Sequence, residues 1–448
     1  MSHVVHLAQK CRTLVVELVT MTTFRIDRTP VTPAPTLEFD SNQLAVINHK
    51  HGAMRVLAGP GTGKTTTLVA AMAHRLEGEH ALEPTQVLGL TFGRRAALEW
   101  RDQVTLTVGG GLVPLVSTFH SFCYALIRRY QDPADYQVLP RLLSGPEQQI
   151  RARQLFTDAV RDGRIDWPEE LSDALDTRGL ADEVRAVIAK TRSYLLDPND
   201  LTQLGRSTGH ATWTAIGGFM EEYLDVLDLE GAMDYSELVH RAVILCHRND
   251  VREDLHKTFK AIYVDEYQDT DPSQVALLKA LVSPDSSLIV VGDSDQAIYG
   301  FRGADESGIR NFPEAFADVY NKPVVDVVLQ ECRRFGPNIR AVAHAVIDKY
   351  RPSGISQEIL NRHRNLVCSP QPHDAVEVIT FDSEGAQAAH IVDMIARAHA
   401  DRGYAWSDMA VIVRSAVVSL PMLYRAFIGA GVPVEVAAAD DHGASISR

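Results

Sequence analysis

The stretch that decides the fold of this 448-residue chain runs from Ala58 to Thr65 and has the sequence A-G-P-G-T-G-K-T. A short strand, 55–57, precedes it, and apolar residues with helical spacing follow Thr65. Glycines let backbone N–H groups converge on phosphate oxygens, and a helix that starts at the same place adds the positive end of its dipole. A purely structural glycine-rich turn is the alternative, but the flanking strand and helix favour a phosphate-binding loop.

The chemistry of this loop predicts ATP with Mg²⁺ as the cofactor. The Lys64 ammonium would reach the β- and γ-phosphates, and the Thr65 hydroxyl would ligate Mg²⁺. Ala58 stands where the usual pattern has its first glycine. The residues predicted to bind the nucleotide here are Gly59, Pro60, Gly61, Thr62, Gly63, Lys64, Thr65 and Thr66.

Two further apolar strands end in acidic residues, as strands do at the ligand crevice of a parallel sheet. After the strand at 261–264, Asp265 is predicted to hold Mg²⁺, and Glu266 to orient and deprotonate an attacking water. After the strand at 288–291, Gln296 is predicted to sense the γ-phosphate or its water, because an amide both donates and accepts. A solvated acidic strand end is the alternative, and the phosphate-binding loop argues against it.

The succession of strands and helices predicts an α/β protein with a parallel sheet. From about residue 124 to 227 the chain is rich in Arg, Asp and Glu with helical periodicity, which predicts a helical insertion. A second α/β pattern begins after Pro323, with apolar strands at 324–329, 376–379 and 409–413. Residues 1–36, which end in a proline-punctuated stretch, are expected to be a linker or a disordered N-terminus.

Composition sets broad limits on function. The net charge of -14 argues against a polybasic protein that coats nucleic acid, although a local basic groove is compatible with it. Five scattered cysteines without a C-x-x-C pair disfavour disulfides and zinc sites, so a reducing cytoplasm is expected. No stretch approaches the ~18 uninterrupted apolar residues of a membrane span.

The ordered motifs resemble those of superfamily 1 helicases of the UvrD/Rep/PcrA type. The matching segments lie at 42–43, 61–65, 91–97, 118–121, 264–269, 291–304 and 332–335. The segment C-R-R-F at 332–335 fits the related helicase–nuclease subunits of double-strand-break processing as well. The resemblance implies a P-loop NTPase with a first RecA-like lobe, the helical insertion and an incomplete second RecA-like lobe. In this sequence these parts correspond to 37–123 with 228–322, to 124–227 and to 323–448.

The resemblance also implies roles for three further residues at the nucleotide. Gln43 would contact the adenine edge. Arg333 stands where the family has an adenine-stacking tyrosine, and its guanidinium plane would stack instead. Arg334 would be an arginine finger that reaches the γ-phosphate, with a surface ion pair as the alternative.

A track for single-stranded DNA is implied by the same resemblance. Its residues would be Thr91, Phe92, Thr118, Phe119, His120, Tyr299, Phe301 and Arg302. Phe301 replaces the family's tryptophan and still offers an aromatic face on which a base stacks. Taken alone, Phe92 and His120 are equally well explained as core residues, and aromatic residues such as Tyr299 and Phe301 are more often core.

The resemblance implies an ATP-dependent 3′→5′ DNA helicase of repair or recombination. Its substrates would be single-stranded DNA and junctions of single-stranded with duplex DNA, and its partner a second helicase or nuclease subunit. Two later family segments, T-x-H-x-x-K-G-L-E and V-A-x-T-R-A, do not occur in the sequence, so we expect impaired activity from this N-terminal part. Two alternatives stay open: an ATP- and DNA-binding subunit without motor activity, and an unrelated P-loop ATPase.

Overall fold

The computed structural model describes residues 38–109, 113–131, 140–300, 303–372 and 374–436. The residues from Ser41 onward belong to one compact unit. In these ranges we find no helix that combines the length and the apolar character needed to cross a membrane. The expected N-terminal linker, 1–36, and the predicted DNA contacts Phe301 and Arg302 lie outside the described residues.

The strands of the described ranges are short and pair in parallel. In chain order they are β1 (Gly52–Ala58), β2 (Val87–Thr91), β3 (Leu115–Thr118), β4 (Arg141–Leu142), β5 (Ala232–Met233), β6 (Ala261–Val264), β7 (Ser287–Gly292), β8 (Val325–Leu329), β9 (Glu331–Cys332) and β10 (Val367–Cys368).

The α-helices of the same ranges cover these strands or form separate clusters. They are α1 (Ser41–Ile47), α2 (Lys64–Leu76), α3 (Arg94–Thr107), α4 (Phe119–Tyr130), α5 (Gly145–Arg161), α6 (Arg178–Ser193), α7 (Pro198–Thr208), α8 (Ala211–Leu229), α9 (Tyr235–Cys246), α10 (Asn249–Thr258), α11 (Pro272–Leu281), α12 (Phe312–Tyr320), α13 (Pro337–Ile347), α14 (Gln357–Arg364), α15 (Glu384–Arg402) and α16 (Ala416–Gly429).

Six strands form one parallel sheet in the order β3-β2-β6-β7-β1-β8. Every residue of β1, β6 and β7 is buried, as expected for central strands covered on both faces. The main core packs sheet residues such as Leu57, Ile262 and Leu288 against helix residues such as Phe122 and Leu277. The predicted α/β class with a parallel sheet is confirmed.

Strand β8 belongs to this sheet, which corrects the boundary predicted at Pro323. β8 pairs in parallel with β1. Arg55 of β1 donates to both carboxylate oxygens of Asp326 in β8, at 2.8 and 2.9 Å, and also to two main-chain carbonyls. A guanidinium that is only 3% exposed needs such partners to offset its desolvation. The first sheet therefore extends to Leu329, and the chain leaves it only there.

The helices between β4 and β5 enclose a core of their own. This cluster runs from Leu143 to Ala232 and contains Phe156 and Phe219. The parallel pair of β4 and β5 lies at its base. The predicted start at residue 124 falls inside α4, whose apolar face packs in the main core. The boundary is later than predicted because α4 continues for more than one turn beyond that point.

After β9 the chain buries fewer side chains. β9 pairs with β10, and α15 packs against α16 around a small core that includes Val392 and Phe427. The segments 376–379 and 409–413 were predicted to be strands, and the structure assigns no strand to either within residues 374–436. Val378 is 85% exposed and Ile412 is 94% exposed. A strand needs a neighbour to satisfy its backbone groups, and the described residues provide none here.

Candidate functional site

The loop between β1 and α2 forms a tight turn at the carboxyl end of the sheet. Gly61 and Gly63 have φ values of +76° and +82°, which glycine adopts without a steric penalty. The Thr62 hydroxyl donates to the Gly59 carbonyl at 2.7 Å and tightens the turn. Because α2 begins at Lys64, the unsatisfied amides of its first turn lie beside this loop. The backbone is thus arranged to receive an anion.

Four side chains predicted for nucleotide binding, metal binding and catalysis meet at this loop. Lys64 Nζ lies 3.5 Å from Glu266 Oε2, and Thr65 Oγ1 lies 3.5 Å from Asp265 Oδ2. Burial, helped by the charge of Glu266, raises the pKa of Asp265 to about 6. The Thr65 and Asp265 oxygens are of the type that Mg²⁺ prefers. Their position directly behind the phosphate-binding loop fits a divalent cation.

The backbone of Glu266 is strained. Its φ of 52° and ψ of 44° lie in the left-handed region, which costs a non-glycine residue about 1–3 kcal/mol. Gln268 holds the side chain in place, because its Nε2 donates to Glu266 Oε2 at 2.7 Å. Its Oε1 accepts from the main-chain N–H of Asp293 at 3.0 Å. Gln268 thus connects the two acidic strand ends, a role that the motif at 264–269 does not by itself predict.

Gln296 and Arg334 complete the wall of a cleft of about 220 Å³ over this loop. The other residues that line the cleft are Pro60, Gly61, Gly63, Lys64, Thr65, Thr66 and Glu266. Arg334 follows β9 and lies so close to Gly61 that a Cβ on that glycine would be 2.6 Å from the Arg334 Cβ. The predicted catalytic side chains are therefore brought together around one cleft.

Gln43 and Arg333 lie at the same loop, on the side of Gly63. Gln43 is 2% exposed, and its Nε2 donates to Thr67 Oγ1 at 3.1 Å. Arg333 donates from its main-chain N–H to the Gly61 carbonyl at 2.9 Å, and its guanidinium forms an ion pair with Glu331. Both predicted base contacts are thus adjacent to the phosphate-binding loop.

The aromatic residues predicted for DNA form two separate contacts. Phe92 and Tyr299 stack with ring centroids 5.3 Å apart and planes inclined by 17°, and Phe92 is 39% exposed. His120 packs edge-on against Tyr235 at 5.0 Å and is half-buried. The Phe92–Tyr299 pair provides an accessible stacking platform.

Three other residues predicted for DNA are buried instead. Phe119 is 3% exposed and belongs to the main core. Thr118 caps α4 by accepting from the Ser121 main-chain N–H at 3.2 Å, and Thr91 is 1% exposed at the end of β2. Because these residues follow or end buried strands, Phe119 packs in the core and Thr118 caps a helix. The structure thus places the Phe119 ring in the core, whereas the motif resemblance predicts a contact with DNA.

A cluster that the sequence analysis missed lies behind Gln296. His363 Nε2 is 2.8 Å from Asp293 Oδ1, and Arg364 donates to both carboxylate oxygens of Asp295 at 2.8 and 2.6 Å. All four side chains are nine-tenths or more buried. No local pattern marks His363 and Arg364, since they lie about 70 residues beyond their partners on a different element.

The family model of the UvrD/REP helicase N-terminal domain matches residues 39–317. The ATP-dependent DNA helicase PcrA of Staphylococcus epidermidis is 28% identical over 399 residues, which are 88% of this chain and 50% of that protein. PcrA of Staphylococcus aureus is 27% identical over 401 residues, with 88% and 50% covered. The chain spans about half the length of the curated relatives it matches.

The matched region contains the phosphate-binding loop, both acid-ended strands and the helical cluster between β4 and β5. It covers more than half of the chain. The chain therefore belongs to the family of the UvrD/REP helicase N-terminal domain.

Proposed function

We propose that this chain binds ATP with Mg²⁺ and serves as the nucleotide-hydrolysing part of a DNA helicase. The observation that carries this proposal is the meeting of Lys64, Glu266, Gln296 and Arg334 around one cleft. The similarity to proteins named ATP-dependent DNA helicases supports it. A structural turn or an unrelated surface loop would not gather these four groups from four separate segments.

Each residue around the cleft would have a separate role in phosphoryl transfer. Lys64 would neutralise the β- and γ-phosphates, and the Thr65 and Asp265 oxygens would hold Mg²⁺, which supplies further charge neutralisation. Glu266 would orient a water and accept its proton. Arg334 would stabilise the charge that develops on the γ-phosphate. Gln43 and Arg333, which lie beside Gly63, would contact the base.

The substrate of this motor would be single-stranded DNA and its junctions with duplex DNA. The exposed Phe92–Tyr299 stack supports base stacking, which is tolerant of sequence. We propose 3′→5′ movement, a role in repair or recombination and a second helicase or nuclease subunit as partner, all on the strength of the motif resemblance.

A second candidate is an ATP- and DNA-binding subunit without motor activity of its own. The exposed apolar segments 376–379 and 409–413 favour it. Arg334 lies at the start of this sparsely packed part of the chain, and an arginine finger acts only when a stable element holds it in place. Binding would then survive while hydrolysis is slow.

Titration with a fluorescent ATP analogue tests the nucleotide site. Lys64→Ala removes the charge that faces the phosphates, and we expect at least a tenfold loss of affinity, which is about 1.4 kcal/mol. Lys257→Ala is the matched control, because Lys257 is 78% exposed and outside the cleft. If Lys64→Ala binds as tightly as the control, the proposed nucleotide site is wrong.

A further inference from the structure

We propose that His363 is a positioning residue for Gln296. It acts through Asp293, so that helix α14 sets the γ-phosphate side of the nucleotide site. This inference rests on the proposed function and deepens it. It assigns a role to a side chain that does not line the nucleotide cleft.

The connection is a continuous chain of hydrogen bonds. His363 Nε2 lies 2.8 Å from one carboxylate oxygen of Asp293, and Gln296 Nε2 donates to the other at 2.7 Å. Asp293 is 1% exposed and His363 is 2% exposed, so water does not replace either bond at low cost. With both oxygens engaged, Asp293 cannot rotate without losing a partner. The Gln296 amide is thereby held in one orientation at the edge of the cleft.

The charge state of Asp293 suits this function. Burial alone would raise the pKa of Asp293, but the hydrogen bond and charge of His363 and the hydrogen bond from Gln296 lower it overall. Asp293 therefore remains a carboxylate that accepts on both oxygens. Removal of the His363 donor leaves a buried carboxylate with fewer partners, and such a group moves or takes up a proton.

Arg364 holds α14 against the loop that contains Gln296. Its guanidinium donates to both carboxylate oxygens of Asp295 and to the Tyr350 carbonyl, the latter at 2.8 Å. The same cluster borders a cavity of about 150 Å³ that reaches Gly59 of the phosphate-binding loop. A shift of α14 would therefore be transmitted to both sides of the phosphate site.

The same side chains are less suited to a metal ion. Asp293, Asp295 and His363 have ligand atoms within 4.8 Å of one another. However, Arg364 already neutralises Asp295, and both oxygens of Asp293 accept N–H donors. A cation would have to displace these donors, whereas the hydrogen-bond chain uses all of them.

The experiment compares the affinities of the full chain for ATPγS and for ADP, measured by calorimetry. In His363→Leu, which lacks the donor, we expect the preference for ATPγS over ADP to fall about tenfold, with ADP affinity within about twofold of the parent. His363→Gln keeps an N–H and should restore most of the preference. Arg362→Ala changes an exposed neighbour on α14 and should leave both affinities unchanged.

Further variants separate positioning from a general structural effect. His363→Leu combined with Gln296→Ala should show no greater loss than Gln296→Ala alone, because both changes interrupt one chain of contacts. If His363→Leu is insoluble, Asp293→Asn serves instead, since it keeps the shape but leaves only one acceptor oxygen for the Gln296 and His363 donors. Equal loss for both nucleotides, or an unchanged preference, would overturn the positioning role. A failure of Lys64→Ala to weaken binding would instead count against the proposed function itself.

Discussion

At the scale of single residues, the phosphate-binding loop leaves no space for a side chain at Gly61. A Cβ there would lie 2.6 Å from the Arg334 Cβ and 2.9 Å from Cys332 Sγ, and φ is +76°. We expect Gly61→Ala to weaken ATP binding at least tenfold, because the loop must move away from the segment that follows β9. Titration of the purified variant with a fluorescent ATP analogue measures this loss.

Gly78→Ala is the control for backbone strain alone. Gly78 has a φ of +90°, but apart from the glycine itself and its two chain neighbours no heavy atom lies within 4 Å of its Cβ position. This variant should lose only about 1–2 kcal/mol of stability and keep its nucleotide affinity. Parental affinity in Gly61→Ala would show that the segment after β9 does not press on the loop.

The Phe92–Tyr299 stack leads to a second residue-scale prediction. The double variant Phe92→Ala, Tyr299→Ala should bind single-stranded DNA more weakly at every sequence tested, because base stacking on an aromatic ring is worth about 1–3 kcal/mol. Fluorescence anisotropy at two salt concentrations measures the affinity. Tyr424→Ala removes another exposed aromatic ring and should have no effect. Unchanged binding in the double variant would leave the pair with only a packing role.

Individual site residues could be predicted where a short pattern fixes their chemistry. Lys64 follows from the glycine-rich loop, and Asp265 from an apolar strand that ends in acids. Gln268 and His363 could not be predicted, because their roles depend on contacts with Asp293, which is 25 and 70 residues away in the sequence. Phe119 shows the converse difficulty, since a motif does not distinguish an exposed ring from one that packs in the core, where Phe119 lies.

At the scale of elements, an ion pair between β1 and β8 reinforces the attachment of this edge strand to the sheet. Asp326→Ala would leave the Arg55 guanidinium buried without its carboxylate, and we expect the free energy of unfolding to fall by about 3–5 kcal/mol. Urea unfolding followed by circular dichroism measures this change. Asp393→Ala disrupts an exposed pair within α15 and should cost less than about 0.5 kcal/mol. Similar losses in the two variants would mean that β8 is held by other contacts.

Strand β8 also shows which features of an element the sequence can predict and which it cannot. The apolar run at 324–329 predicts a strand correctly. Nothing in this run indicates which strand it pairs with, and it was assigned to the second lobe although it pairs with β1 in the six-stranded sheet. Two parallel strands can be far apart in the sequence, so the pairing partner cannot be inferred from the local pattern. Here the pairing is supported by Arg55, which lies far earlier in the chain. The segments 376–379 and 409–413 show that apolar character without a neighbour does not make a strand.

At the scale of the whole molecule, we expect slow ATP turnover from this chain alone. The part that carries Arg334 continues into exposed apolar segments, and loss of an arginine finger can lower the rate by about 10³–10⁵. The measurement is phosphate release with and without single-stranded DNA. Its comparison is a version extended through the two later family segments that do not occur here. Equal turnover in both versions, together with strand displacement by the short one, would contradict this prediction.

The interior strand β1 gains both of its neighbours in the sheet only late in protein synthesis. Its neighbours are β7 and β8, which leave the ribosome long after Gly52–Ala58. At ~5–20 residues per second, roughly ten seconds to a minute pass between the emergence of β1 and that of β8. Until β7 has emerged, β1 lacks both of the strands with which it pairs, and an unpaired apolar strand is prone to associate with other chains. We therefore expect the yield of soluble protein to rise when chaperone supply is increased during translation.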